Sequence, residues 1–309
     1  MQSLSARGPA GRGGGPPPPP RQALAGDRRA AILFSLPAAA LLLVLIAYPL
    51  LEDVRLSLAH ISPTSNEPFV GLRNYESVLS SREFWKSVLI TGRYTLLSLV
   101  AELALGFGLA LLMTKIVRGG GTLRTLILIP TMLTPSVVAI NFRNLLNYDF
   151  GLVNWLIGLF GIAPQPWLAD SGYALTALVL TDIWRSTPFF VLVLSAGLLA
   201  LSPEVMEAAE LDGARGWQKF VYIQVPMLMP LILVTVLFRV IDLLRTFDTV
   251  YALTNGGPGN ATDVTSMQIY NDMYVGRYTS YAATEAVVFM VLTLFVSLFV
   301  LRLMRSQPD

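Results

Sequence analysis

Four charged residues, Arg239, Asp242, Arg245 and Asp248, alternate in sign at three-residue steps through an otherwise apolar stretch. At this spacing each faces the next along a helix, so the stripe can neutralise itself by pairing. Asp182 and Arg185 bracket Trp184 at the same interval, and Asn141, Arg143 and Asn144 gather at the end of another apolar run. Ionisable groups inside a membrane span are costly and turn toward a partner or a cavity. Two chemistries fit these residue types. Alternating signs favour structural ion pairs that join helices or subunits. In the other reading they line a polar translocation path, where Asn, Asp and Arg hydrogen-bond the hydroxyls of a solute while Trp184, Phe247 or Tyr251 stacks on its apolar face. Glu102 and Glu285 stand alone as acids in other apolar runs, where interface or near-interface contacts are expected.

Other chemistries find little material. Cysteine is absent, which removes disulfides and thiolate metal sites, and one histidine cannot build a metal cluster. That residue, His60, lies just before Ser62 and Pro63 and reads as a solvated loop position. A polytopic membrane enzyme using Asp182 or Asp242 would need a metal or histidine beside them, and the sequence offers neither. Nucleotide hydrolysis also lacks its loop: Gly119-Gly120-Gly121 has no following lysine, and Gly213-Ala214-Arg215-Gly216 has the wrong spacing. A net charge of only +2 gives nucleic-acid binding no support.

The elements that must position these residues are membrane helices. Hydrophobic residues make up 54% of the 309 positions and charged residues 14%, where a soluble domain carries about 25% charged. Apolar runs at 31–51, 88–113, 123–146, 173–200, 227–253 and 281–304 each reach the roughly 20 residues that cross a ~30 Å core. Pro37, Pro130, Pro135 and Pro188 fall inside these runs and are expected as kinks within a bundle. The prediction is an all-α membrane protein of about six transmembrane helices. Counted from Met227, the charge stripe of the fifth run begins ~18 Å deep and occupies the outer half of the span.

Basic residues set the orientation. Twelve fall on the side of the termini: Arg7, Arg12, Arg21, Arg28, Arg29, Lys115, Arg118, Arg124, Arg215, Lys219, Arg302 and Arg305. Only five, Arg55, Arg73, Arg82, Lys86 and Arg277, fall on the other. The positive-inside rule then places both termini in the cytoplasm. Residues 1–29, with their Gly and Pro runs, are expected as a disordered cytoplasmic tail, and are too long and basic for a cleaved signal peptide. Residues 30–306 form the membrane domain. Stretches 52–86, 147–172 and 254–280 lie outside, and the turn formers of Asn255–Asn260 end the fifth helix.

The inner loop at 201–226 is more than a connector in composition. Ser202 suits a helix cap, Pro203 the first helical position and Glu204 the positive helix end. Glu207, Ala208, Ala209, Glu210 and Leu211 continue the helix, and Asp212-Gly213 stops it. A second short helix is predicted from Arg215 to Pro226. The result is helix, tight turn, helix, and physics alone leaves a surface connector and a docking element equally open.

Glu207, Ala208, Ala209 and Gly213, followed by Ile223-Gln224-Val225-Pro226, resemble the EAA loop of binding-protein-dependent ABC importer permeases. Phe69–Tyr75, Trp184–Phe189, Phe247-Asp248 and Leu253–Pro258 are similar to further segments of the carbohydrate-uptake branch, the maltose, trehalose and glycerol-phosphate permeases. The founding maltose permease carries extra helices and a large outer domain that this chain lacks. The resemblance implies a type I importer bundle in the bacterial cytoplasmic membrane, itself without catalysis or cofactor. ATP and Mg would be bound by two partner ATPase subunits, gripping Glu207, Ala208, Ala209, Asp212 and Gly213. A second permease subunit, an extracytoplasmic binding protein and membrane lipid complete the partners, and no nucleic acid is expected. The solute would be a sugar, disaccharide or oligosaccharide, alternatively glycerol phosphate or another polyol. A proton-coupled secondary transporter using the buried acids without partners is the remaining rival.

Overall fold

The computed structural model describes residues 21–305 apart from 62, 65, 68 and 117–119. The tail expected at 1–29 therefore lies outside the described residues up to position 20, and a helix, α1 (Arg21–Ser57), is already under way from Arg21. The chain divides into two units, with the boundary after Glu52 inside α1. The first unit is the apolar body of α1, with Pro37 and Pro49 inside it.

The second unit carries the rest. A two-residue hairpin, β1 (His60–Ile61) against β2 (Asn66–Glu67), precedes α2 (Arg73–Ser80) and α3 (Arg82–Thr114). His60 thus belongs to a strand and not to an open loop. Ser81 caps α3 by accepting the Phe84 amide, as a serine does at that position. Next come α4 (Gly120–Met132), α5 (Pro135–Leu145), α6 (Leu152–Gly158) and α7 (Ser171–Leu199). The inner loop holds α8 (Pro203–Leu211) and α9 (Gly216–Lys219). One π-helical turn, Phe220–Gln224, leads into α10 (Val225–Leu244). The chain closes with α11 (Asp248–Leu253), α12 (Thr265–Tyr270), a second π turn (Asn271–Val275) and α13 (Thr279–Arg305). Among the described residues five helices are long and apolar enough to cross a membrane, or six if α4 and α5 count as one broken span.

Three expectations need correction. The third run is not one kinked helix: α4 and α5 meet at 92°. Pro135 holds Thr134 extended, at φ −66° and ψ 144°, as a proline does to its predecessor. The fifth run stops at Leu244, and α11 restarts after Arg245–Phe247. The second short helix of the inner loop does not close at Pro226 but runs through the π turn into α10. A π turn leaves room for a ring that lacks an amide hydrogen, so Pro226 is absorbed without a break.

Two buried clusters hold the second unit together. One joins Ile90 and Tyr94 of α3, Leu178 of α7, Leu243 of α10 and Val250 of α11. The other joins Phe107 and Ala110 of α3, Phe190 and Leu194 of α7, and Leu228 and Ile232 of α10. Helices α3 and α7 make the most extensive contact. Gly106 makes it close: a Cβ there would stand 2.3 Å from that of Phe190. Small residues permit this approach where apolar lipid gives helices no hydrophobic drive to associate.

Candidate coupling elbow and intramembrane ion-pair cluster

The inner loop forms an elbow between α7 and α10. Pro203 opens α8, as expected, but the Ser202 hydroxyl donates to the Glu204 carboxylate and makes no backbone cap. That contact and the free helix end hold the Glu204 carboxyl below its usual range. At the far end Gly213 takes φ +75°, a left-handed conformation that costs a Cβ-bearing residue about 1–2 kcal/mol. Its amide donates to Glu210 O at 3.0 Å, and the Ala214 amide donates to Ala209 O at 2.9 Å. These two bonds are the Schellman pair that ends a helix on glycine. Lys219 reaches back to Glu210 at 2.6 Å and ties the arms of the elbow together. Glu207, Ala208 and Asp212 are exposed, Ala209 is buried, and Leu211 is 90% exposed. The exposed face therefore carries acids, a small residue and one bare leucine.

The charges inside the membrane converge on Arg239. Its Nε and Nη2 donate to the two oxygens of Glu102 at 2.7 and 2.8 Å, the side-on geometry that suits a guanidinium and a carboxylate. Nη2 also meets Asp182 and Nη1 meets Asp242. Arg185 completes the group, 3.3 Å from Asp182 and 3.8 Å from Asp242. Side-chain exposure falls to 4% for Arg239, 0% for Glu102 and 1% for Asp182, while Asp242 keeps 63%. Three acids thus face two guanidiniums, and the unmatched charge lies at the exposed edge.

That edge borders a cavity of about 490 Å³ walled by Thr131, Arg185, Ser186, Phe189, Phe238 and Asp242. A smaller one of about 80 Å³ adds Arg245, Phe247 and Asp248 to the same cluster. Beyond it four rings assemble: Phe247 stacks on Tyr251 at 5.5 Å, and Tyr270 packs on both and on Tyr274 at 5.1 Å.

The structure brings together Asp182, Arg185, Arg239 and Asp242, sets Arg245, Phe247 and Asp248 on the smaller cavity beside them, and leaves Asn141, Asn144 and Trp184 outside the ion pairs. Of the i,i+3 stripe, only the Arg239–Asp242 step forms an ion pair among the described residues, because the helix ends before Arg245. Asn141 is exposed and donates to Val137 O of its own helix, and Asn144 is exposed. Trp184 is half-exposed and packs on Phe142 at 5.5 Å. The interface or near-interface contacts expected of Glu102 and Glu285 give way to partners within the chain. Both are wholly buried, and Gln268 donates to Glu285 at 2.8 Å. A lone acid within a long apolar helix is itself a signal that it faces a polar partner, which for Glu102 is Arg239 and for Glu285 is Gln268. Tyr270 and Tyr274 gave no such signal, since they lie in a stretch read as an outer loop.

Residues 103–306 match the family model for the binding-protein-dependent transport system inner membrane component. The chain belongs to that family. A trehalose/maltose transport system permease protein of Thermococcus litoralis is 38% identical over 275 residues, covering 89% of this chain and 93% of that protein. A sulfoquinovosyl glycerol transport system permease protein of Agrobacterium fabrum is 34% identical, covering 88% and 89%. The fold of the permease is that of a bacterial ABC transporter involved in alginate import, at TM-score 0.80 and 21% identity over 93% of this chain and 100% of that one. The permease is thus a membrane-spanning subunit of the ABC importer class.

Proposed function

We propose that the permease carries a carbohydrate into the cytoplasm across the bacterial cytoplasmic membrane, driven by ATP that separate subunits hydrolyse. The observation that carries this reading is the exposed α8–Gly213 elbow between two spans, in a chain without a phosphate-binding glycine loop. Glu207, Ala208, Ala209, Asp212 and Gly213 are the docking residues for an ATPase subunit, which supplies ATP and Mg. A second permease subunit faces this one, two ATPase subunits lie beneath the pair, and an extracytoplasmic binding protein delivers the solute. The relatives named for trehalose, maltose and sulfoquinovosyl glycerol support a sugar-containing solute. So does the wall beside Asp242, which sets an exposed carboxylate and hydroxyls next to Phe189 and Phe238. Polar groups that accept hydroxyls beside apolar rings are the composition a sugar requires.

The test is co-purification and import. The intact chain, expressed with a second permease, the ATPase and the binding protein, retains the ATPase and imports labelled trehalose or maltose, while glycerol 3-phosphate competes weakly. Removing residues 203–216 releases the ATPase. The chain purified alone hydrolyses no ATP. Robust hydrolysis by it, or import that survives the deletion, would refute the reading in favour of a self-sufficient carrier.

A further inference from the structure

The buried cluster has a particular mechanical placement. Asp182 stands on α7, the helix that enters the elbow, and Arg239 and Asp242 stand on α10, the helix that leaves it. Glu102 stands on α3, which is not one of the two helices that flank the elbow in the chain. The two-point grip of the guanidinium is reserved for Glu102 alone. One helical turn away, Gly106 of α3 lies against Phe190 of α7. A side-on guanidinium–carboxylate pair fixes both distance and plane, which a single contact does not.

We propose that Arg239 is a positioning residue of the transport cycle. It clamps α3 to the two elbow helices, so that a pull on the elbow moves three helices together and reshapes the cavity beside Asp242. This rests on the elbow being the handle gripped by the motor. Without the clamp, α7 and α10 still follow the motor, but α3 slips against them and ATP is spent without moving solute. Glu102 is the arm to remove, because Asp182 and Asp242 continue to neutralise Arg239 in its absence.

The experiment uses the complete importer in proteoliposomes, with trehalose or maltose imported per ATP hydrolysed as the readout for each assembled complex. Glu102→Ala lowers that ratio by about three- to thirtyfold. Hydrolysis per complex stays close to wild type, a split that a loss of folded protein would not produce. Glu102→Gln keeps the shape and one acceptor oxygen and recovers part of the ratio. A wild-type ratio in Glu102→Ala overturns the proposal. Should that variant fail to assemble, a wild-type ratio in the isosteric Glu102→Gln overturns it equally. Absence of an ATPase from the wild-type complex is a different failure, one of the functional reading and not of the clamp.

Discussion

Asp263 shows how a single side chain can set the pH response of the outer end of the bundle. It lines a polar cavity of about 520 Å³ with Arg82, Glu83, Lys86, Gln268 and Asp272, and its Oδ1 is buried without a hydrogen-bond partner. Burial first, and the charge of Asp272 second, push its carboxyl from 3.8 up to about 6, against the opposing pull of Lys86. The folded state therefore binds this proton more tightly than the unfolded chain does. That contribution to stability is complete below about 4 and is lost as pH rises through about 6. Asp263→Asn stays neutral throughout and should flatten this part of the profile. Thermal unfolding of the importer in detergent at pH 4.5, 6 and 7.5 checks it. The expected outcome is a variant more stable than wild type at pH 7.5 with the gap closing toward pH 4.5. A gap of constant size would show that Asp263 is ionised across the whole range.

Among the elements, the elbow depends most on one backbone angle. Gly213→Ala places a Cβ at φ +75° and should cost about 1 kcal/mol locally, while Gly213→Asn, which tolerates that region, should cost less. Because open space surrounds Gly213, the penalty is conformational and not a clash. Pull-down of the ATPase should weaken in the order glycine, asparagine, alanine, and equal retention by all three would mean the turn is not part of the grip. This turn was readable in the sequence because Asp-Gly after a run of helix formers has one local explanation. Spans were readable for a similar reason, since length and apolarity answer directly to the membrane. The broken helices were not. Pro130, Pro188 and Pro230 sit inside continuous helices, whereas Pro135 starts a new one at 92°. The difference lies in tertiary packing of α5 against α11, which no local pattern encodes. The charge stripe misled for the same reason: its spacing was right for a helix that ends at Leu244, short of its last two members. Glu102 and Arg239 lie 137 residues apart, and only the fold discloses that they meet.

The whole molecule must place the elbow and the outer cavity on opposite faces of the membrane. Its element order requires this, because α3 and α7 begin at the end that carries α2 and α12, and α7 finishes at the elbow. The excess of basic residues on the elbow side predicts that this face is the cytoplasmic one. The absence of cysteine makes the orientation directly measurable, since any introduced thiol is unique. Leu211 on the elbow is 90% exposed and Leu72 at the other end is 70% exposed, so both positions admit a label without disturbing packing. Leu72→Cys in intact cells should react with a membrane-impermeant maleimide, and Leu211→Cys should react only in inverted vesicles. Co-expression with the ATPase should then slow labelling at Leu211 and leave Leu72 unchanged, because only the former lies on the proposed docking face. Labelling of Leu211→Cys in intact cells would invert the molecule and remove the elbow from the compartment that holds ATP. Equal labelling with and without the ATPase would leave the elbow inside but unengaged, and the drive would have to enter the bundle elsewhere.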